Sequence, residues 1–283
     1  MAALVTLQIA HTDTTVVVRA GARLAVDLRG GSIDVRTWDR GAVRVVAAHS
    51  EQVAVHVEST AAVLSVRSAA ARGRNNIVDY QITVPRAMSL TLGGGDIDIT
   101  VAGSEAEIAA NNREGKISVN GGRGVVSLRS THGEVAVANA RARIEVHALN
   151  GDIAITDAIG DIEAENADGS ITLTRVDAAR VSATTVDGEI YYEGPIRDGG
   201  RYSFTTHDNE VRLVIPGGVN ATVTVATVTG EFHSDFPYEV REQRGRGRFS
   251  FVLGNGSALL ELESFEGDIK LGRRDAPSRR EER

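Results

Sequence analysis

The sequence predicts an all-β protein, a β-solenoid with rungs of about 18–20 residues and two short strands in each rung. Three observations carry that reading. A unit of glycine, polar residue, aliphatic, any residue, aliphatic recurs at nearly constant spacing. Aliphatic and polar residues alternate at period two along most of the chain. Glycine contributes 30 residues against 5 prolines, and aromatics only 4%, in a chain rich in Val, Ile, Leu and Ala. That mixture excludes a disordered chain, which lacks β-branched residues, and collagen, which needs glycine at every third position.

Read from the N-terminus, residues 1–92 form a β region that starts and caps the solenoid. Val26 and Leu28, Ile33 and Val35, Val43 and Val45, Leu64 and Val66, and Ile82 and Val84 all alternate, and Gly30-Gly31-Ser32-Ile33-Asp34-Val35 already carries the repeat unit. A cap is needed because a bare terminal rung leaves an unpaired edge. The stretch 67–76, rich in Arg, Ala, Gly and Asn, is expected to be an exposed, mobile loop.

Residues 93–272 are the repetitive solenoid. Its units begin at Gly95, Gly115, Gly133, Gly151, Gly169 and Gly188, a nearly constant step from each glycine to the next. A weaker strand signal lies between them, at Val126/Leu128, Ile144/Val146, Ile162/Ala164 and Val181/Ala183. Two Ala-rich stretches, 104–112 and 137–149, suggest helix by composition. Period two persists through the second (Val135, Val137, Ile144, Val146), so strand is predicted for both. The charged tail, 273–283, has little to bury and is expected to be disordered.

Alternation places the two aliphatics of each unit on one face and the residue between them in water. Ile117, Val135, Ile153 and Ile171, each in the same place after a unit glycine, are therefore expected to stack at successive rungs. Glycine before each strand is expected to supply the positive φ of a tight corner.

Several function classes are excluded or disfavoured. The net charge of −7 speaks against a nucleic-acid protein working through a general basic surface. With no cysteine there is no disulfide framework, thiolate nucleophile or cysteine-ligated zinc. No stretch approaches the roughly 20 apolar residues of a membrane helix. The N-terminal apolar run has no preceding Lys or Arg and is broken by Gln8, His11 and Asp13, which suggests a cytoplasmic chain rather than one with a secretory leader. The cell envelope or extracellular space is the alternative if a leader has been removed.

Acidic side chains follow the corner glycines at Asp96, Glu134, Asp152 and Glu189, and Glu145 and Glu163 should lie one rung apart. Stacked carboxylates could hold a cation, but Lys116 and Ser170 interrupt the series and no calcium-roll repeat is present, so no metal or cofactor is expected. The seven histidines have no ligand spacing, and there is neither a nucleophile elbow nor a phosphate loop, so no catalytic residue is assigned. Aromatics are uneven. Only Trp38 and Tyr80 precede residue 190, and ten follow it. Phe204, Phe232 and Phe251 lie in alternating contexts and are expected in the core. Tyr191, Phe236 and Tyr238 are expected to be exposed and, with Arg244 and Arg246 of the basic loop 241–248, to contact a partner.

Three stretches resemble a known family. They are Asp79-Tyr80-Gln81-Ile82-Thr83-Val84-Pro85 entering Gly93-Gly94-Gly95-Asp96-Ile97, the Gly-Asp-Ile-like units from 95 to 192, and Ser234-Asp235-Phe236-Pro237 followed by Glu266-Gly267-Asp268-Ile269. The chain resembles the bacterial adhesin-like β-solenoid domains of unknown function, most firmly over residues 79–272. The resemblance implies a solenoid scaffold with an unassigned ligand and transfers no catalytic residue. The reading is a non-catalytic structural or binding module. Its expected partners are a protein or a cell-envelope glycan, with self-association through the solenoid ends. The alternative is a carbohydrate-active enzyme, a polysaccharide lyase or hydrolase, on a β-helical scaffold.

Overall fold

The computed structural model describes residues 9–70, 76–243 and 247–274. Every regular element among them is a strand, twenty-five in all, from Ile9–Val17 to Ile269–Arg274. The chain divides into two compact units, 1–136 and 137–283.

In the first unit the repeat reaches well back into the N-terminal region. The long strand Arg23–Trp38 pairs in parallel with Ser89–Ser104 along nearly its whole length, setting Leu24 beside Leu90, Ile33 beside Ile99 and Val35 beside Val101. On its other edge Arg23–Trp38 pairs in parallel with Val63–Ala70 and then Ile77–Pro85. Ser89–Ser104, continuous through residues 92 and 93, carries Ile108–Glu114 on its first half and Ile117–Gly121 on its second. Antiparallel strands close the unit: Ile9–Val17 pairs with Ala42–Ser50, which pairs with Ile77–Pro85. Val53–Ser59 folds back as a hairpin on Val63–Ala70. Arg67 to Ala70, expected in a loop, thus belong to a strand, because Leu64 and Val66 continue the alternation into them. Residues 71–75 of that expected loop, and all but Arg273 and Arg274 of the expected tail, lie outside the described residues. Both Ala-rich stretches enter strands, Ile108–Glu114 and Arg141–Asn150, since burial at every second position outweighs alanine's helix propensity.

In the second unit two parallel ladders run side by side. One stacks Arg141–Asn150, Ile162–Glu165, Arg180–Thr184 and Arg201–Thr206. The other stacks Ile153–Thr156, Ile171–Thr174, Ile190–Glu193 and Val211–Pro216. The predicted register holds, with Ile153, Ile171, Ile190 and Val211 in one fully buried column. In the first unit Ile117 stacks on Ile99, and Val135 is likewise fully buried.

Sequence order then breaks. The C-terminal strands Ala258–Ser264 and Ile269–Arg274 add next, ahead of the earlier Ala221–Thr227 and Phe232–Ser234, which form the last parallel rung. Arg248–Leu253 covers Ala221–Thr227 in antiparallel fashion, as a cap requires.

The interior widens where the rings enter it. Ala164 and Ala183 are followed in their column by Phe204, and Tyr192 packs 5.1 Å from Phe204 and 6.2 Å from Tyr202, centroid to centroid. The phenols find partners at the rim. Tyr192 donates to the Pro195 carbonyl, and Tyr202 donates to the Ala178 carbonyl while accepting from the Arg197 amide. Burial pushes both phenols up. Phe204 and Phe251 are fully buried, as expected.

Glycine at the corners has two different reasons. Gly133 and Gly169 adopt φ of 141° and 134°, the left-handed region in which a side chain is strained. Gly188 does not. A Cβ there would lie 2.1 Å from the carbonyl oxygen of Gly169, so glycine is required by close stacking of one corner on the next, and the expected positive φ is corrected.

Candidate binding surface

Because the interior is filled with aliphatic and aromatic side chains, chemistry is confined to outward columns, whose members lie about 4.8 Å apart along the stack. The acidic column is charge-paired. Asp96 meets Arg113, and Glu134 meets Lys116 at 3.0 Å, so the lysine that interrupts the acidic series neutralises it. Glu145 and Glu163 stand side by side one rung apart, both bound by Arg143, at 2.7 and 3.6 Å. Asp152 has a backbone role, accepting the amide N–H of Ser170 at 2.9 Å one rung on, and Asp268 accepts that of Glu231 in the same way. Glu189 is exposed. Among the described residues no group of three or more His, Asp or Glu side chains is placed to hold a metal ion.

The C-terminal aromatics form a cluster. Phe232 extends the buried column of Ile269, but in the last rung, where among the described residues no further strand pairs in parallel with it. It is therefore half-buried instead of fully enclosed. The rings of Tyr238, Phe249 and Phe251 close over it, at 5.4, 5.5 and 5.7 Å from its centroid. Tyr238 also lies 4.6 Å from Phe251 and stacks on Phe249 at 6.2 Å. Tyr238 keeps 40% of its surface exposed and neighbouring Val240 51%.

The expected contact residues separate in the fold. Tyr238 is on the surface. Phe236, expected to be exposed, is 6% exposed and buried. Its amide donates to the Ser234 hydroxyl and its carbonyl accepts from it, and this tight turn, with the Asp235 amide bonded to the Leu271 carbonyl, folds the ring inward. Tyr191 is half-buried further back along the same ladder as Phe232, beside Arg212 of the next rung, and its hydroxyl donates to Glu193 at 3.3 Å. Partial burial and the Glu193 carboxylate hold its phenol above the usual value. Arg244 and Arg246 lie outside the described residues.

Sequence reasoning missed one recurrent feature. Asn166, Thr185 and Thr206 are buried polar residues at equivalent corners, and each donates to the carbonyl of a unit glycine, Gly151, Gly169 and Gly188 respectively. Their recurrence at close to the repeat period, three residues before the corner positions Gly169, Gly188 and Asn209, was the available signal.

Outward polar columns over a solid apolar interior define a repetitive β-solenoid scaffold. The chain belongs to the Toastrack DUF4097 family, whose profile matches residues 23–272. Solved structures similar to it include a candidate adhesin from Bacteroides fragilis, 9% identical with a TM-score of 0.46, covering 94% of this chain and 97% of that one. A candidate adhesin from Parabacteroides distasonis is 10% identical with a TM-score of 0.39, over 93% and 97% of the two chains. A candidate cell adhesion protein from Clostridium sporogenes is 10% identical with a TM-score of 0.26, over 94% and 100%. No curated protein sequence matches the chain. Among the described residues no helix is long and apolar enough to cross a membrane.

Proposed function

We propose that this chain is a non-catalytic, adhesin-like binding module that meets a protein partner, a second copy included, through its C-terminal aromatic surface. The observation that carries the reading is the exposed ring of Tyr238 on the Phe232–Phe249–Phe251 cluster, with Val240 beside it. A rigid ring held by its neighbours loses little entropy on contact and buries a large apolar area. The short strand Phe232–Ser234, paired on one side to Ile269–Arg274, ends its ladder next to these rings, where another copy can join end to end. Tyr191, Arg244 and Arg246 are the further contact residues of this proposal, and residues 1–92 serve it as the capping region.

Non-catalytic action is supported by the carboxylates. Glu145 and Glu163, side by side on adjacent rungs, are both engaged by Arg143, so this close carboxylate pair is held in a structural contact.

The test is light scattering and affinity co-purification of the full chain against a Tyr238→Ser/Val240→Ser variant and an Arg244→Glu/Arg246→Glu variant. Smaller particles or lost partner bands, with an unchanged strand signal in circular dichroism, are expected. Full association by both variants removes the aromatic surface from the proposal. Turnover of a polysaccharide, abolished by a single carboxylate substitution, overturns the non-catalytic reading. Cell fractionation decides whether the partner is met in the cytosol or the envelope.

A further inference from the structure

We infer that the second unit carries a separate groove for an uncharged oligosaccharide on the outward face of its first ladder. The groove has a volume of about 520 Å³, within the range of small-ligand sites. Register places Glu163, Ser182, Ser203 and Glu261 in one outward column across four consecutive strands. The two serines are short and make the floor, and the longer glutamates stand on either side as walls. In the neighbouring column Arg180 and Arg201 are adjacent, followed by Leu259, which is 42% exposed.

The polar groups of this face are not all used within the chain. Arg180 is held by Asp161 at 2.6 Å, and Arg143 by its two glutamates. Arg201 and Glu261 are exposed on adjacent strands, and among the described residues neither side chain has an ion-pair or hydrogen-bond partner. The groove thus offers the free Arg201 guanidinium as donor, the Glu261 carboxylate as acceptor and two hydroxyls able to act in either sense.

That balance selects the occupant. A sugar hydroxyl donates and accepts at once, so it matches Arg201, Glu261 and the serines together, and the C–H face of a ring can lie on Leu259. An anionic chain would face Glu163 and Glu261 on both walls, and a cationic one would face Arg180 and Arg201. An extended peptide cannot add as a strand. Ile162–Glu165, Arg180–Thr184 and Arg201–Thr206 are each paired on both sides, leaving no open edge. Glu163 and Glu261 are three strand steps apart, about 14 Å along the backbone stack, wider than the separation used to cleave a glycosidic bond.

The test is a glycan array carrying neutral and acidic oligosaccharides, probed with the full chain, followed by titration calorimetry with the best neutral oligosaccharide. Ser203→Tyr fills the floor, and Arg201→Ala and Glu261→Gln remove the free donor and acceptor. Each substitution lies on the surface, and a thermal melt checks the fold. Retention of neutral oligosaccharides is expected, with about ten-fold weaker binding in Arg201→Ala and Glu261→Gln, the loss of one charged hydrogen bond each, and at least as large a loss in Ser203→Tyr, which occupies the floor. An array that stays blank, retention of acidic glycans alone, or parent-level binding by all three variants overturns the inference. The protein-contact reading stands or falls separately, since Ser203→Tyr leaves the Tyr238 surface and the light-scattering result unchanged.

Discussion

Thr206 donates its hydroxyl to the carbonyl of Gly188 across 2.9 Å inside a buried corner. Asn166 and Thr185 do the same for Gly151 and Gly169 at 2.8 and 3.1 Å. A corner turns the backbone away from the ladder, so its carbonyl needs a partner from elsewhere, and the inward polar residue supplies it. Thr206→Val, nearly the same shape without the donor, is expected to cost about 1–3 kcal/mol in urea unfolding. Thr206→Ser should recover much of that. Equal stability of the valine variant and the parent would show the bond to be idle.

The buried column makes a sharper contrast. Ile153 is fully buried, while Ala154, its immediate neighbour, faces outward. Ile153→Asp would place an unpaired charge among Ile171, Ile155 and their neighbours, and is expected to cost several kcal/mol, on the order of 3–5 kcal/mol. Ala154→Asp should shift the thermal midpoint little. Similar melts for the two would contradict the register.

Gly188 separates space from backbone conformation. Its φ is open to any residue, yet a Cβ would lie 2.1 Å from the Gly169 oxygen. Gly188→Ala should therefore destabilise by about 1–3 kcal/mol through overpacking, although alanine stiffens the unfolded chain in its favour. A stabilised alanine variant in denaturant unfolding would refute the close approach.

His207 is held above the ordinary histidine pKa. The hydrogen bond to Asp208 raises its pKa above 6.5, with the Asp208 and Glu266 charges adding to the effect, and its ring stacks on Phe265 at 4.8 Å. A raised folded value means that its contribution to stability is fully present below the unfolded value. That contribution is lost as pH rises through the folded value. The side chain is exposed, so screening keeps the effect small. Nuclear magnetic resonance of the imidazole protons should give a midpoint above 6.5, and Asp208→Asn should lower it. A parent midpoint no higher than that of an ordinary histidine would contradict the contact.

Period-two alternation and a fixed repeat length are local properties of the chain, which is why the solenoid, its strands and the Ile153–Ile171 register were legible without coordinates. Burial of one aliphatic pair per strand leaves few other arrangements. Corner glycines were legible as glycines, but the cause at Gly188 was not, because close stacking depends on the corner of the preceding rung. Rung order past Val211–Pro216 was also hidden. Strands of the same pattern compete for the same edge, and nothing local states that Ala258–Ser264 joins before Ala221–Thr227. That insertion determines the surfaces. It leaves Phe232 in the last rung to be covered by Tyr238, Phe249 and Phe251, and sets Glu261 beside Ser203 although the two are distant in sequence. Phe236 was misread for a related reason, since a turn at Ser234, and not alternation, decides which way its ring points. The repeat is written in side chains one strand can sort between core and water. The binding faces depend on which strands become neighbours, and only the folded chain settles that.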